Sequence, residues 1–249
     1  MPLVAAALCP HPPVLVPEVA AGAAGELDAL RAACGTAVAT LADAALDRLV
    51  VLGGGDRTAA FDATCAATFE PWGVPLRVRP GTGEAPPRLP LSLTVAAWLL
   101  DRYFHPGRPV EIEFRTVAAD ASPAECAALA RALRAPDSWG LLVMGDGSAC
   151  RGEKSPGYAD PRAEGFDTAV ARALADVDTG ALLALDPVTA AELLVAGRAP
   201  WQVLANATLD SGGVADVGAG PADGSWRGEL LAHEAPYGVA YFVATWRSA

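Results

Sequence analysis

Residues 141–167, LLVMGDGSACRGEKSPGYADPRAEGFD, decide the fold expected for this chain. The apolar run at 139–144 has the length of a buried strand and leads into a polar loop that contains Asp146 and Ser148. Beyond Pro-Gly-Tyr, residues 164–175 have the spacing of an amphipathic helix. Polar loops at the carboxyl ends of strands are where α/β proteins bind ligands. The stretch therefore predicts an α/β fold and a functional site in this loop.

Strand and helix patterns alternate on both sides of this loop. Further strands are expected at residues 3–8, 48–53, 74–78, 110–117 and 237–246. Helices are expected at residues 26–41, 92–104 with Ser92 as N-cap, from the capping box Ser122–Glu125 onward, from Asp186 to about Gly197, and at 201–209. Residues 80–90 and 212–225 are expected to be a proline-rich loop and a glycine-rich turn region. This order predicts one α/β domain over residues 1–249, with helices on both faces of a mixed sheet.

Composition limits the classes of partner. The net charge of −11, from 18 Lys+Arg against 29 Asp+Glu, argues against nucleic acid or an anionic membrane as partner. The five cysteines include no CxxC pair and do not predict a disulfide framework. No apolar run approaches the ~20 residues of a membrane span, and no basic residue precedes the apolar run at 3–8. A cytoplasmic protein with a small-molecule ligand is expected, and a homo-oligomer is possible.

The chain has three histidines, His11, His105 and His233. His105 stands beside Pro106 and Gly107, where a helix-capping role is the simpler explanation. His11 follows the first expected strand between prolines that restrict its backbone, so a functional and a structural role both remain open. The second strand ends in Gly-Gly-Asp, which places Asp56 at the same edge of the expected sheet.

Four short motifs occur in order along the chain: PHPPVLVPE at 10–18, GDGS at 145–148, PGY at 156–158 and FD at 166–167. Together they resemble the class III extradiol ring-cleavage dioxygenases, in particular the catalytic B subunit type and its Memo-like relatives. The resemblance covers most of the chain. It implies a three-layer α/β/α sandwich around a mixed, mostly parallel sheet, with a pocket at the strand ends. The fold expected from the residues alone agrees with it.

The resemblance also implies an iron site that this chain alters. Active members hold Fe(II) through two histidines and a carboxylate and use another histidine as acid/base. His11 matches the first ligand, while Asp56 follows the glycines where the second histidine belongs. Ala149 replaces the acid/base histidine, and the carboxylate position falls near Gly197. We therefore expect an extradiol dioxygenase-like protein with a degenerate metal site that binds or converts a small molecule in the same pocket.

Three alternatives remain open at this point. An active metal-dependent oxidoreductase would rebuild a site for Fe(II) or Zn from His11, Asp56, Asp146 and His233. A metal-free hydrolase would use Ser148 or Cys150, whose pKa the adjacent arginine would lower. A non-catalytic interaction module would use the acidic surface. The catalytic candidates are Asp146, Ser148 and His233, and the candidate metal ligands are His11 and Asp56.

Overall fold

A seven-stranded sheet forms the middle layer of the protein in a computed structural model, which describes residues 3–62, 65–78, 88–134, 136–211 and 226–248. The strands of this sheet are β1 (Leu3–Cys9), β2 (Arg48–Gly55), β3 (Ala59–Phe61), β6 (Glu111–Ala118), β7 (Trp139–Met144), β8 (Trp226–Glu234) and β9 (Tyr241–Ser248). Two short strands, β4 (Ala67–Thr68) and β5 (Arg77–Val78), pair in a separate two-stranded sheet. The helices are α1 (Pro17–Ala20), α2 (Asp28–Asp43), α3 (Leu91–Tyr103), α4 (Pro123–Ala132), α5 (Arg162–Asp176), α6 (Thr179–Leu183), α7 (Pro187–Glu192) and α8 (Arg198–Ser211).

The strand order of this sheet is β3-β6-β2-β7-β1-β9-β8. Strands β6, β2, β7 and β1 are parallel neighbours, whereas β3, β9 and β8 pair antiparallel at the two sides. One hydrophobic core packs α2 and α3 against one face, and a second packs α4, α5 and α8 against the other. The expected three-layer sandwich around a mixed, mostly parallel sheet is thus confirmed.

Local signals explain several element boundaries. The capping box of Ser122 and Glu125 is present, with Pro123 at the first helical position, as expected. The proposed N-cap role of Ser92 is wrong, because α3 begins at Leu91 and the buried Ser92 hydroxyl donates instead to the Gly54 carbonyl at 2.7 Å. Ser92 therefore fastens the helix to the end of β2.

The closing part of the chain differs most from expectation. The sequence predicts one strand over residues 237–246, whereas the structure has β9 in that region and a further strand, β8, before it, and the two form a hairpin. The edge strand β8 consists of exposed and half-buried residues, and its only apolar run is the three residues 230–232, which is too short to indicate a buried strand. The helix expected to reach Gly197 ends at Glu192, and α8 begins at Arg198, so residues 193–197 form a separate connection. Residues 212–225 and most of the proline-rich stretch 80–90 lie outside the described residues.

The sheet brings several chain segments to one edge. The carboxyl ends of the parallel strands β1, β2, β6 and β7 meet there. Strand β9 begins at the same edge because it runs antiparallel to β1, and β8 ends there because it runs antiparallel to β9. Within the described ranges, no helix is long and apolar enough to cross a membrane.

Candidate functional site

His11 and Asp146 meet at the carboxyl ends of two adjacent parallel strands. Cys9 at the end of β1 is in register with Met144 at the end of β7, and the Gly145 N–H continues the pairing by donating to the Cys9 carbonyl. The His11 backbone N–H donates to Asp146 Oδ1 at 2.8 Å, and His11 Nδ1 lies 3.7 Å from the same oxygen. The parallel register therefore places an imidazole beside a carboxylate.

This pair is largely removed from water. The side chains of His11 and Asp146 are 11% and 14% exposed. Burial raises the pKa of the Asp146 carboxyl, and the charge and backbone N–H of His11 oppose that rise. His11 Nδ1 is buried and has no hydrogen-bond partner among the described residues. A buried polar atom without a partner calls for a water, an ion or a ligand group to satisfy it.

Two residues of the β8–β9 hairpin, Glu234 and Tyr241, lie at the same edge of the sheet, and we call the set of His11, Asp146, Glu234 and Tyr241 the strand-end cluster. Glu234 lies opposite Tyr241 in the hairpin. Burial first, and then the nearby Asp146 carboxylate, raises the pKa of the Tyr241 phenol, and Glu234 adds to this effect. Glu234 Oε1 is a second buried atom that has no partner within the described part of the chain. Glu234 and Tyr241 were not singled out as site residues by the sequence, because β8 was missed.

Ser148 lies in a different environment from the strand-end cluster. Its side chain is fully buried, and its hydroxyl donates to Asp167 Oδ2 at 2.6 Å while its backbone N–H donates to Asp167 Oδ1 at 2.9 Å. Arg151 Nη1 donates to the same carboxylate at 3.3 Å. The predicted catalytic residue Ser148 therefore holds the loop in place through Asp167 and does not present its hydroxyl to solvent.

Asp167 was not recognised as a structural residue from the sequence, although a signal existed. It lies on α5 at helical spacing from Val170 and Leu174, which are both buried, and is itself fully buried. A carboxylate on the core-facing stripe of a helix must be hydrogen-bonded, because burial of an unpaired charge is costly. The position of Asp167 therefore indicated a buried polar network on the 145–151 loop.

His233 is not part of the strand-end cluster. It is exposed on β8, next in sequence to Glu234 and so directed to the opposite face, and its ring centroid lies 4.9 Å from that of Phe242. Partial burial lowers the pKa of His233, with the Asp167 carboxylate acting in the opposite direction. The structure thus places His233 on the Asp167 side of the sheet.

Asp56 does not join His11 either. It is exposed in the bend after β2. Over the described ranges, no group of three or more His, Cys, Asp and Glu side chains could hold a metal ion. Fe(II) in the implied site requires two histidines and a carboxylate, and His11 is the one histidine of the strand-end cluster. The residues present at this edge do not fit that metal centre.

The pKa of the Cys150 thiol is shifted in the direction opposite to the one expected. Burial raises the pKa of its thiol, and the Asp160 and Asp167 carboxylates add to the rise, so the expected lowering of this pKa by Arg151 is wrong. The thiol is 4% exposed and lies 3.6 Å from the Leu193 carbonyl, to which it donates. A buried thiol of raised pKa is a poor nucleophile.

The 193–197 connection packs against the strand ends at glycines. A Cβ atom on Gly145 would lie 2.5 Å from the Gly197 Cα atom, and one on Gly54 would lie 3.2 Å from the Ala196 carbonyl oxygen. The Gly197 N–H donates to the Asp146 carbonyl at 2.8 Å. Backbone therefore occupies the region where the resemblance implies the carboxylate ligand.

No protein-family model matches the chain, and no curated protein matches it. Among solved structures, it is similar to the crystal structure of the uncharacterized protein JW3007 from Escherichia coli K12. The two chains share 13% identity with a TM-score of 0.52, and the match covers 98% of this chain and 99% of the other. At this identity the similarity supports the fold alone.

Proposed function

We propose that this protein is an extradiol dioxygenase-like protein that binds a small hydroxylated molecule at the strand-end cluster without using the metal of the ring-cleaving enzymes. The observation that carries the proposal is the buried Nδ1 atom of His11, which lies beside the Asp146 carboxylate and lacks a hydrogen-bond partner among the described residues. A ligand group that bonds to this nitrogen would remove the cost of leaving it unpaired.

The chemistry of the cluster favours a ligand that carries hydrogen-bond donors. Asp146 and Glu234 contribute carboxyl oxygens, and the Glu234 Oε1 atom is buried with no partner in the described ranges. Ionised carboxylates only accept hydrogen bonds. Hydroxyl groups of a phenol, diol or sugar would donate to them, while an anionic ligand would be repelled. A neutral hydroxylated molecule is therefore the proposed ligand class.

His11 and Asp146 would also be able to move a proton to or from such a ligand. Burial raises the pKa of the Asp146 carboxyl, and an imidazole beside a carboxylate is an arrangement that general acid/base catalysis uses. In this arrangement His11 would contact the ligand, and Asp146 would orient the imidazole through the 2.8 Å bond to its backbone N–H. Ser148 would act only as a positioning residue for the loop, through Asp167.

The test uses catechol as probe and protein purified without added metal. Saturable binding, followed by ligand-observed NMR, is expected for the wild type and should weaken about fivefold or more in His11→Gln, since removal of one partner from a buried hydrogen bond costs about 1–3 kcal/mol. His105→Gln is the matched control, because His105 is exposed at the end of α3. Elemental analysis is done on the same sample.

Two outcomes would overturn the proposal. Equal binding by the wild type and His11→Gln would exclude the strand-end cluster as the site. Stoichiometric iron together with turnover of catechol would mean that the metal chemistry survives and that further residues complete the iron site. Binding that depends on His11 in a protein without stoichiometric metal is the result we expect.

A further inference from the structure

A groove lies at the opposite edge of the sheet, between α2 and the β8–β9 hairpin. It has a volume of about 780 Å³, which is within the range of small-molecule sites. Thr36 and Thr40 line it from α2, and the side chains on the facing strands include Arg227, Arg247 and Glu229. We call it the arginine groove. None of the residues of the strand-end cluster lines it.

Two arginines stand side by side in this groove. Arg227 on β8 and Arg247 on β9 are directly opposite in the antiparallel register, so their side chains leave the same face of the sheet. Both are exposed. Like charges directly opposite each other destabilise a strand pair. Folding alone therefore gives no reason to place two guanidinium groups here.

Among the described residues, no carboxylate forms an ion pair with either of these arginines. Across the residues that the structure describes, neither guanidinium forms a hydrogen bond or an ion pair, although Glu229 is only two residues from Arg227 along β8. Elsewhere the chain pairs its arginines readily, as with Arg48 and Glu113 at 2.8 Å or Arg162 and Glu192 at 2.7 Å. Two guanidinium groups without an ion pair among the described residues, beside the single carboxylate of Glu229, are therefore a local excess of positive charge in a protein of net charge −11.

We propose that the arginine groove binds the phosphate group of a small phosphorylated molecule. A phosphate monoester carries nearly two negative charges and three acceptor oxygens, which matches two guanidinium groups, whereas a carboxylate carries one charge. Guanidinium groups bind phosphate through paired N–H donors. The hydroxyl of Thr245, on the same face as Glu229 and Arg247, offers a further donor. Leu231 gives the groove an apolar part for the organic portion of the ligand.

The experiment titrates the full chain with inorganic phosphate and with phenyl phosphate by calorimetry at low salt. Saturable binding at one site is expected, and tighter binding of phenyl phosphate would identify an organic phosphate as the ligand, whereas equal binding would identify the free anion. Arg227→Gln and Arg247→Gln should each weaken binding at least about tenfold, since each removes charge-assisted hydrogen bonds. Glu229→Gln should strengthen binding, because it removes a repelling carboxylate.

Arg172→Gln is the matched control, because Arg172 is an exposed arginine on α5 and its loss changes the net charge by the same amount. It should leave the affinity unchanged, and so should His11→Gln, which separates this site from the strand-end cluster. Absence of saturable binding by either probe would overturn the proposal. An equal loss of affinity in Arg172→Gln and Arg247→Gln would also overturn it, because binding would then follow net charge and not this groove.

Discussion

Replacement of Asp167 by alanine should destabilise the protein by about 3–5 kcal/mol. The buried carboxylate accepts hydrogen bonds from the Ser148 backbone N–H at 2.9 Å and from the Ser148 hydroxyl at 2.6 Å. Each hydrogen bond to a charged group contributes about 1.5–3 kcal/mol. Arg151, which is 22% exposed, can exchange its 3.3 Å contact for water, so it adds little. The loss is a large part of a typical stability of about 5–15 kcal/mol.

Urea unfolding measures this loss as a shift of the midpoint at an unchanged slope. The matched control is Glu164→Ala on the same helix, since the Glu164 carboxylate is 79% exposed and lies 3.5 Å from Arg151; a change under about 0.5 kcal/mol is expected. Ser148→Ala should fall between the two, near 1.5–3 kcal/mol. If the losses of unfolding free energy in Asp167→Ala and Glu164→Ala differ by less than about 1 kcal/mol, the hydrogen bonds of Asp167 do not stabilise the loop.

Three further predictions concern the same edge of the sheet. Gly145→Ala should lower the unfolding free energy by about 1–3 kcal/mol, because its Cβ would meet the Gly197 backbone, whereas Gly165→Ala, with open space around it in α5, should raise the unfolding free energy by about 0.5–1 kcal/mol; the melting temperature should shift in the same directions. Burial raises the pKa of Asp146 in the folded state above its ordinary value of 3.8. Between the unfolded-state and folded-state pKa values, the folded protein therefore holds more protons than the unfolded protein. The unfolding free energy of the wild type should therefore fall relative to Asp146→Asn as pH rises through this interval; a difference that is independent of pH would contradict the shift. Ala149→His supplied with iron should not cleave catechol, because one imidazole does not complete the ligand set; ring opening by this variant, followed by absorbance, would disprove this.

The sequence was most informative where a local pattern and tertiary packing agree. The apolar run of β7 was predicted with its observed bounds, Trp139–Met144, because a strand buried on both faces is apolar throughout. The capping box at Ser122 was also predicted, since it involves neighbouring residues only. The edge strand β8 was missed for the converse reason. Its residues alternate in exposure, and no contact within the segment itself sets its conformation.

The candidate site was predicted in part for the same physical reasons. His11 and Asp146 each follow an apolar run, and the rule that parallel strand ends share an edge brought them together. The positions of Ser148 and His233 depend instead on which face of the sheet each side chain meets. Asp167 on the following helix α5 accepts the Ser148 hydroxyl hydrogen bond, and the β8–β9 register directs His233 to the face opposite Glu234. Such choices are made by packing between segments that are far apart in sequence.

The position of β1 in the middle of the sheet has a consequence for synthesis of the chain. Its two neighbours, β7 and β9, both come late in the sequence, and 135 residues separate His11 from Asp146. At a translation rate of roughly 5–20 residues per second, β1 would wait about 7–27 s for β7. Hydrophobic collapse takes well under a millisecond. Leu3–Cys9 is therefore expected to pack first against α2, which comes soon after it in the chain and contacts one face of β1 in the finished fold, and to gain its strand partners only later.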